Sequence, residues 1–170
     1  MGFINVEIKA FCSDPQKVEE LLLKAGADYK GEDHQLDTYF NTSNGRLKLR
    51  EGNIENALIF YRRENQEGPK VSNVILYKAS PGSNLKQILA ESSGIKVLVD
   101  KRRKIFFIGN VKFHIDQVLS LGSFMEIEAI DQKGEGNRDA LHKQCEDFMS
   151  LLGIKTADLI SESYSDMLSK

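Results

Sequence analysis

Residues two apart along an extended chain share a face. On that basis residues 97–130 divide into three strands, with a turn at Gly109–Asn110 and another after Leu121–Gly122. Val97, Val99, Lys101, Arg103 and Ile105 fall on one face of the first, and Phe124, Glu126, Glu128 and Ile130 share a face of the third. On both, charges occupy the middle of a face whose ends are apolar. Residues 3–11 repeat the arrangement. Ile4, Val6, Ile8 and Ala10 make one apolar face, while Phe3, Asn5, Glu7, Lys9 and Phe11 make a charged one bracketed by aromatics.

Four further strands are predicted over residues 34–40, 46–51, 57–63 and 70–78, separated by turn-forming residues such as Asn41 to Gly45 and Gln66 to Pro69. A helix is expected from Pro15, capped by Ser13 or Asp14, with Val18, Leu21, Leu22 and Ala25 as its apolar stripe and Gly26 as its stop. A second is expected over 81–93 with Leu85, Ile88 and Leu89 buried. A third is expected over 135–152 carrying Leu141, Cys145, Phe148 and Leu152, and a short one over 159–168. Eight strands joined mostly by short turns, with three or four helices, predict one α+β domain over residues 1–170. Its antiparallel strands form either a sandwich or a closed barrel, with helices over the apolar outer faces.

The polar faces carry the candidate chemistry. Their cations are Lys9, Lys48, Arg50, Arg63, Lys70, Lys101 and Arg103; their anions are Glu7, Asp116, Glu126 and Glu128. If the strand at 57–63 is displaced in parity by one residue, Arg62 replaces Arg63. Seven cations against four anions leave a surplus of three, and enclosed charge is costly unless paired. A polyphosphate would supply the missing anion, and Arg and Lys suit its oxygens. Mg²⁺ or Mn²⁺ between the carboxylates and the phosphates would relieve their repulsion. The same alternation also suits the solvated face of an ordinary antiparallel sheet; the bracketing Phe and Val residues favour an interior.

The remaining composition narrows the classes. A net charge of −2 with 28% charged residues argues against broad nucleic-acid or membrane binding. No apolar run approaches the ~20 residues of a membrane span. Met1 leads into strand-like sequence without a signal-peptide pattern, and Cys12 and Cys145 lack CxxC spacing, so two reduced thiols in a cytoplasmic protein are expected. His34, His114 and His142 have no mutual ligand spacing, although His114 shares a face with Asp116. Gly-rich phosphate loops are absent.

Taken in order, VEIKA, QLDTYF, GRLKLRE, LIFYRREN with GPKVS, VDKRRKIFFIG, HIDQVLSLGSFMEIE and SESYSDML resemble the CYTH superfamily, the triphosphate tunnel metalloenzymes, and within it the class IV adenylyl cyclases. The resemblance covers nearly the whole chain. It implies a closed eight-stranded antiparallel β-barrel with helices packed outside, whose tunnel binds a triphosphate such as ATP or tripolyphosphate with Mg²⁺ or Mn²⁺. By matching position, Lys9, Lys48, Arg50, Arg63, Lys101 and Arg103, with Lys70 in addition, would hold phosphate oxygens. Glu7, Glu126 and Glu128 would hold metal. Asp116 would sit near the reacting end as metal ligand or proton acceptor, with Lys9 and Arg103 as catalytic cations. Asn5 stands where the first Glu of the ExExK signature falls, so the site has one fewer negative charge and binds metal less tightly.

The resemblance implies conversion of ATP to cyclic AMP and pyrophosphate. The same cradle would also serve a triphosphatase acting on tripolyphosphate, thiamine triphosphate or a nucleoside triphosphate, or a phosphate-ligand binding module without catalysis. A homodimer is compatible with all three; neither a membrane nor a nucleic-acid partner is expected.

Overall fold

The computed structural model describes residues 2–170. Eight antiparallel strands close into a barrel: β1 (Gly2–Phe11), β2 (Asp28–Phe40), β3 (Arg46–Glu51), β4 (Asn56–Arg62), β5 (Lys70–Lys78), β6 (Ile95–Ile108), β7 (Val111–Val118) and β8 (Gly122–Ile130). Two meanders, β2 to β5 and β6 to β8, meet along a long β2–β6 seam. The first strand completes the circle by pairing with both β5 and β8. Closure removes the exposed edges that an open sheet would leave.

Period-two alternation decides what faces outward. Val6, Ile8 and Ala10 of β1, Phe113 and Ile115 of β7, and Met125 and Ile127 of β8 are buried on the outer surface. They lie beneath Val18 and Leu22 of α1 (Pro15–Lys24) and Leu141 and Cys145 of α3 (Arg138–Leu151). The Asp14 side chain caps α1 by accepting from the Lys17 N–H at 3.1 Å. Gly109, at φ +55°, turns β6 into β7.

Inside, one end is filled by Val99, Val118, Phe124, Ile160 and Tyr164. The last of these opens α4 (Tyr164–Leu168), whose Ser163 cap and Asp166 form a reciprocal capping box. The incoming segment is tied to β1 by the Ile160 N–H donating to the Lys9 carbonyl at 2.9 Å, and Arg46 holds Asp166 at 2.8 Å. The apolar ends and charged middle of the inner faces are thus the wall of a tunnel closed at one end.

Some boundaries differ from expectation. The second strand begins at Asp28, not residue 34, because its first half pairs with β6 across a bulge at Lys30 while being largely polar on both faces. The second helix, α2 (Leu85–Ser93), starts four residues later than expected and buries no side chain completely. Ile88 is 59% exposed, so its Leu and Ile residues do not form a core stripe. The third helix begins at Arg138. Residues 159–168 are not one helix: Leu159 bridges Ala10 in extended form before the chain reaches α4. No helix among the described residues is long and apolar enough to cross a membrane.

Candidate functional site

Antiparallel register puts directly opposed residues on the same face, and here it sets charges of opposite sign against each other. Across the inner wall Arg50 faces Asp37, Lys9 faces Glu126, Arg103 faces Asp116 and His114 faces Glu126. Glu7 faces Glu128, the one opposition of like charge among these. All of these but Asp37 and Asp116, which are buried against Arg50 and Arg103, line a cavity of about 520 Å³ whose wall also carries Tyr39, Tyr61, Phe3, Ile59, Val74, Phe107 and Ile130. The exposed side chains of Ile54, Leu76 and Lys78 lie on its rim, away from the Tyr164 end.

Three ionic groups line the tunnel. In the first, Asp37 is fully buried and held by Arg50 Nε and Nη2 at 2.9 and 2.8 Å, Lys101 Nζ at 2.7 Å and Lys48 Nζ at 3.0 Å. Burial alone would raise its pKa, but Arg50, Lys101 and Lys48 outweigh that and hold it well below the usual carboxylate range. Burial lowers the Lys101 pKa in turn, against the attraction of Asp37.

In the second group, at the closed end, Arg103 grips both oxygens of Asp116 at 2.7 and 2.6 Å and reaches Glu126 at 3.1 Å. The Tyr164 hydroxyl donates to Asp116 at 2.7 Å, and the Lys9 ammonium sits 3.3 Å from Glu126 and 3.6 Å above the Tyr164 ring. Burial pushes the Lys9 pKa down to about 8, Glu126 opposing it. In the third, at the mouth, Glu55 contacts Arg50 at 3.0 Å and pairs with Lys112. Asp33 sets the loop that carries Glu55 by accepting the Ile54 and Glu55 N–H groups at 2.9 Å each. The backbone passes so close that a Cβ on Gly52 would lie 2.7 Å from the Asp33 oxygens.

The β1–β7–β8 wall has the chemistry of a cation site. One ligand atom each from His114, Glu126 and Glu128 lie within 4.8 Å of one another. Glu7 pairs with Arg63, and Lys112, which faces Glu128 in register, is drawn to Glu55, leaving the His114 imidazole at 3.8 Å as the near neighbour of Glu128. Burial, then the facing Glu7, raises the Glu128 pKa to about 7, as expected where a positive charge is lacking. Burial, then Arg103, lowers that of His114 to about 3, so the imidazole is neutral and able to ligate. Two buried atoms on this wall, Asn5 Oδ1 and His114 Nε2, have no hydrogen-bond partner. The residues therefore fit a divalent cation.

The raised Glu128 pKa gives a pH test. A carboxyl whose folded pKa exceeds its unfolded value contributes stability below about pH 4.5, which is lost as pH rises through about 7. His114, lowered from its ordinary value near 6.5 to about 3, contributes the opposite slope, with stability rising up to about pH 6.5. Without divalent ions, the wild-type melting temperature should therefore stay nearly level between pH 5 and 6.5, whereas that of Glu128→Gln should rise by several degrees over the same range. Equal slopes in the two proteins would show that Glu128 does not hold a proton in the folded state at these pH values.

Most of the residues expected from sequence meet in this cavity: Glu7, Lys9, Lys48, Arg50, Arg63, Lys101, Arg103, Glu126 and Glu128 all line it. The parity at 57–63 favours Arg63, since Arg62 is exposed. Two differ. Asp116 does not line the cavity, because Arg103 and Tyr164 occupy its oxygens from within the wall. Nor does Lys70, although it faces Glu7 in register: its ammonium points beneath the C-terminal segment, donating to the carbonyls of Ile160 at 3.1 Å, Gln66 at 3.2 Å and Ser161 at 3.4 Å. Lys70→Met should therefore destabilise the fold by about 1–3 kcal/mol through the carbonyls left unpaired. Tripolyphosphate affinity should change less than about threefold, whereas Lys48→Met should weaken it at least tenfold, as titration calorimetry would show.

Sequence reading missed Asp37, Glu55, Lys112 and Tyr164. With these included and Lys70 removed, the ionic wall holds seven cations (Lys9, Lys48, Arg50, Arg63, Lys101, Arg103, Lys112) and six carboxylates (Glu7, Asp37, Glu55, Asp116, Glu126, Glu128). Seven less six leaves a surplus of one rather than three. A triphosphate of roughly four negative charges thus exceeds what this wall neutralises, and divalent ions would make up the difference.

Comparison with known proteins agrees with this architecture. A Methanocaldococcus jannaschii protein provisionally named an adenylate cyclase is 27% identical over 180 residues, spanning 96% of this chain and 98% of that one. A Vibrio parahaemolyticus structure, also provisionally named an adenylate cyclase, superposes with a TM-score of 0.78 at 18% identity over the full length of both chains. A Hippeastrum structure, described as a provisional adenylyl cyclase with a dominant triphosphatase activity, superposes with a TM-score of 0.61 at 14% identity, covering 98% of this chain and 93% of that one. At these identities the two structures speak for the fold. The CYTH domain pattern matches residues 4–164, and with the closed barrel and its ion-lined tunnel this establishes that the chain belongs to the CYTH family.

Proposed function

We propose that this protein is a divalent-metal-dependent enzyme acting on a triphosphate, and that its reaction is the adenylyl cyclase one. The observation that carries the first part is the tunnel itself: an enclosed, cation-rich wall meeting a carboxylate cluster whose Glu7 and Glu128 oppose each other. Lys48, Arg50, Lys101 and Arg63 would bind phosphate oxygens. Lys9 and Arg103 would stabilise charge developing at the reacting phosphorus, both being held in place by Glu126. Glu126, Glu128 and Glu7 would hold the ion, which when bound neutralises phosphate charge and polarises a phosphoryl oxygen.

The cyclase reading rests on the shape and lining of the cavity. Its 520 Å³ is in the range of sites for whole organic ligands, and it includes an apolar wall of Phe3, Ile59, Val74, Leu76 and Ile130 suited to a nucleoside. The ATP 3′-oxygen would attack the α-phosphorus as the bond to the bridging oxygen breaks. Pyrophosphate leaves with the electron pair, and the hydroxyl proton passes to solvent water. One observation favours the triphosphatase alternative: the Asp116 carboxylate is occupied by Arg103 and Tyr164, so it offers no free base to a 3′-hydroxyl. The Hippeastrum protein's described activity supports the same alternative.

Phosphorus NMR of the protein with ATP, then with tripolyphosphate, each with Mg²⁺ and with Mn²⁺, separates the readings. Cyclic AMP with pyrophosphate is the expected outcome. Orthophosphate would transfer the protein to the triphosphatases. Absence of turnover in every condition would overturn the enzymatic reading.

A further inference from the structure

Among the described residues five buried side-chain atoms lack a partner, and two of them, on Asn5 and His114, lie on the wall that carries Glu126 and Glu128 and lead beyond a site made of oxygen alone. Asn5, 4% exposed, lines the cavity, yet its Oδ1 has no partner. His114 is 1% exposed, with Nδ1 3.0 Å from Glu126 Oε2 and 3.8 Å from Glu128 Oε1, while its Nε2 is buried and unpartnered. Buried polar atoms normally find partners, and two exceptions on one wall need a cause. A neutral imidazole donates from one nitrogen and accepts at the other; against a carboxylate it has one lone pair left to offer.

We infer that His114 is a ligand of the cation in this tunnel, supplying nitrogen beside the carboxylates of Glu126 and Glu128. The inference rests on the proposed metal-dependent reading and sharpens it. Mg²⁺ prefers an oxygen octahedron and gains little from imidazole, whereas Mn²⁺, Co²⁺ and Zn²⁺ accept mixed nitrogen and oxygen sets. Asn5, on the same wall, offers a hard ion only a neutral oxygen. A nitrogen from His114 adds affinity selectively for the transition ions. The site should therefore take Mn²⁺ at least tenfold more tightly than Mg²⁺.

The test reads the ion directly and needs no turnover. The protein loaded with one equivalent of Mn²⁺, without nucleotide, is examined by pulsed electron paramagnetic resonance. A directly bound ¹⁴N should appear, and should be replaced by ¹⁵N coupling when the protein is prepared with ¹⁵N-histidine. His114→Asn should abolish the coupling and reduce the Mn²⁺-to-Mg²⁺ affinity ratio at least tenfold by calorimetry, with circular dichroism checking the fold. The labelled wild-type protein decides the matter should that variant not fold. Bound Mn²⁺ without histidine nitrogen coupling, or coupling that survives in folded His114→Asn, would overturn the assignment of His114 while leaving a metal-dependent enzyme intact. Failure of Mn²⁺ to bind, with or without tripolyphosphate, would overturn both readings.

Discussion

Asp37→Asn is expected to lower the melting temperature by roughly 10 °C in metal-free, phosphate-free buffer. Asp37 is fully buried and serves Arg50, Lys101 and Lys48 at once, with contacts of 2.7 to 3.0 Å. Removing one member of a buried ionic group leaves the others without counter-charge and costs about 3–5 kcal/mol. In a chain of this size each kcal/mol corresponds to about 2–4 °C. Glu55 retains its contact with Arg50, which moderates the loss, but it lies at the mouth, and Lys101 and Lys48 pair with Asp37 instead.

The same substitution should make the fold more dependent on ligand. Three freed cations present a stronger site for phosphate, and an anion that binds only the folded state stabilises by mass action. Tripolyphosphate should then raise the variant's melting temperature more than the wild type's, narrowing the gap between them. A variant melting with the wild type would show that Asp37 is not what holds these cations. A gap unaffected by tripolyphosphate would show that the freed cations do not reach the ligand.

What could be read from sequence, and what could not, follows from the physics of each element. Alternation exposed the inner faces of β1 and β8 because their outer faces are apolar beneath helices, as at Val6, Ile8, Met125 and Ile127. The strand β6, whose outer face carries Asp100, Arg102 and Lys104, was legible from Val97, Val99 and Ile105 bracketing its inner charges. The early half of β2 gave no such contrast. Asp33 and Gln35 face inward among polar neighbours, and Asp33 is satisfied by backbone groups of residues 54 and 55, about twenty positions away. Asp37 lies next to Thr38, itself buried, so polarity does not alternate there either. Its opposition to Arg50 appears only once the register is known. Lys112 was within reach, since it shares parity with His114 and Asp116. Lys70 had the right parity as well, but its partners are carbonyls near residue 160, set by the path of the C-terminal segment. Tyr164 depended on that same path.

Glu126→Gln should reduce turnover by at least about 10²–10³-fold, the range seen when a charge-stabilising group is lost from an active site. Lys9 lies 3.3 Å from one oxygen of Glu126; Arg103 at 3.1 Å and His114 at 3.0 Å share the other. Glutamine preserves the shape but directs an amide N–H₂ at a cation or at the imidazole, and removes the charge that gathers them. The fold should suffer less than with Asp37→Asn, because Arg103 keeps both its contacts to Asp116 and Lys9 keeps the Tyr164 ring. Mn²⁺ should no longer raise the melting temperature, since the variant loses an anionic ligand. Glu55→Gln is the comparison: it removes a carboxylate from the mouth, where Arg50 retains Asp37, and should reduce turnover less than tenfold. Product formation followed by phosphorus NMR, with melting curves beside it, measures both variants. Wild-type turnover in Glu126→Gln would move the reacting centre away from the closed end. Equal losses in both variants would mean that the tunnel's total charge governs the rate, with no special place for Glu126.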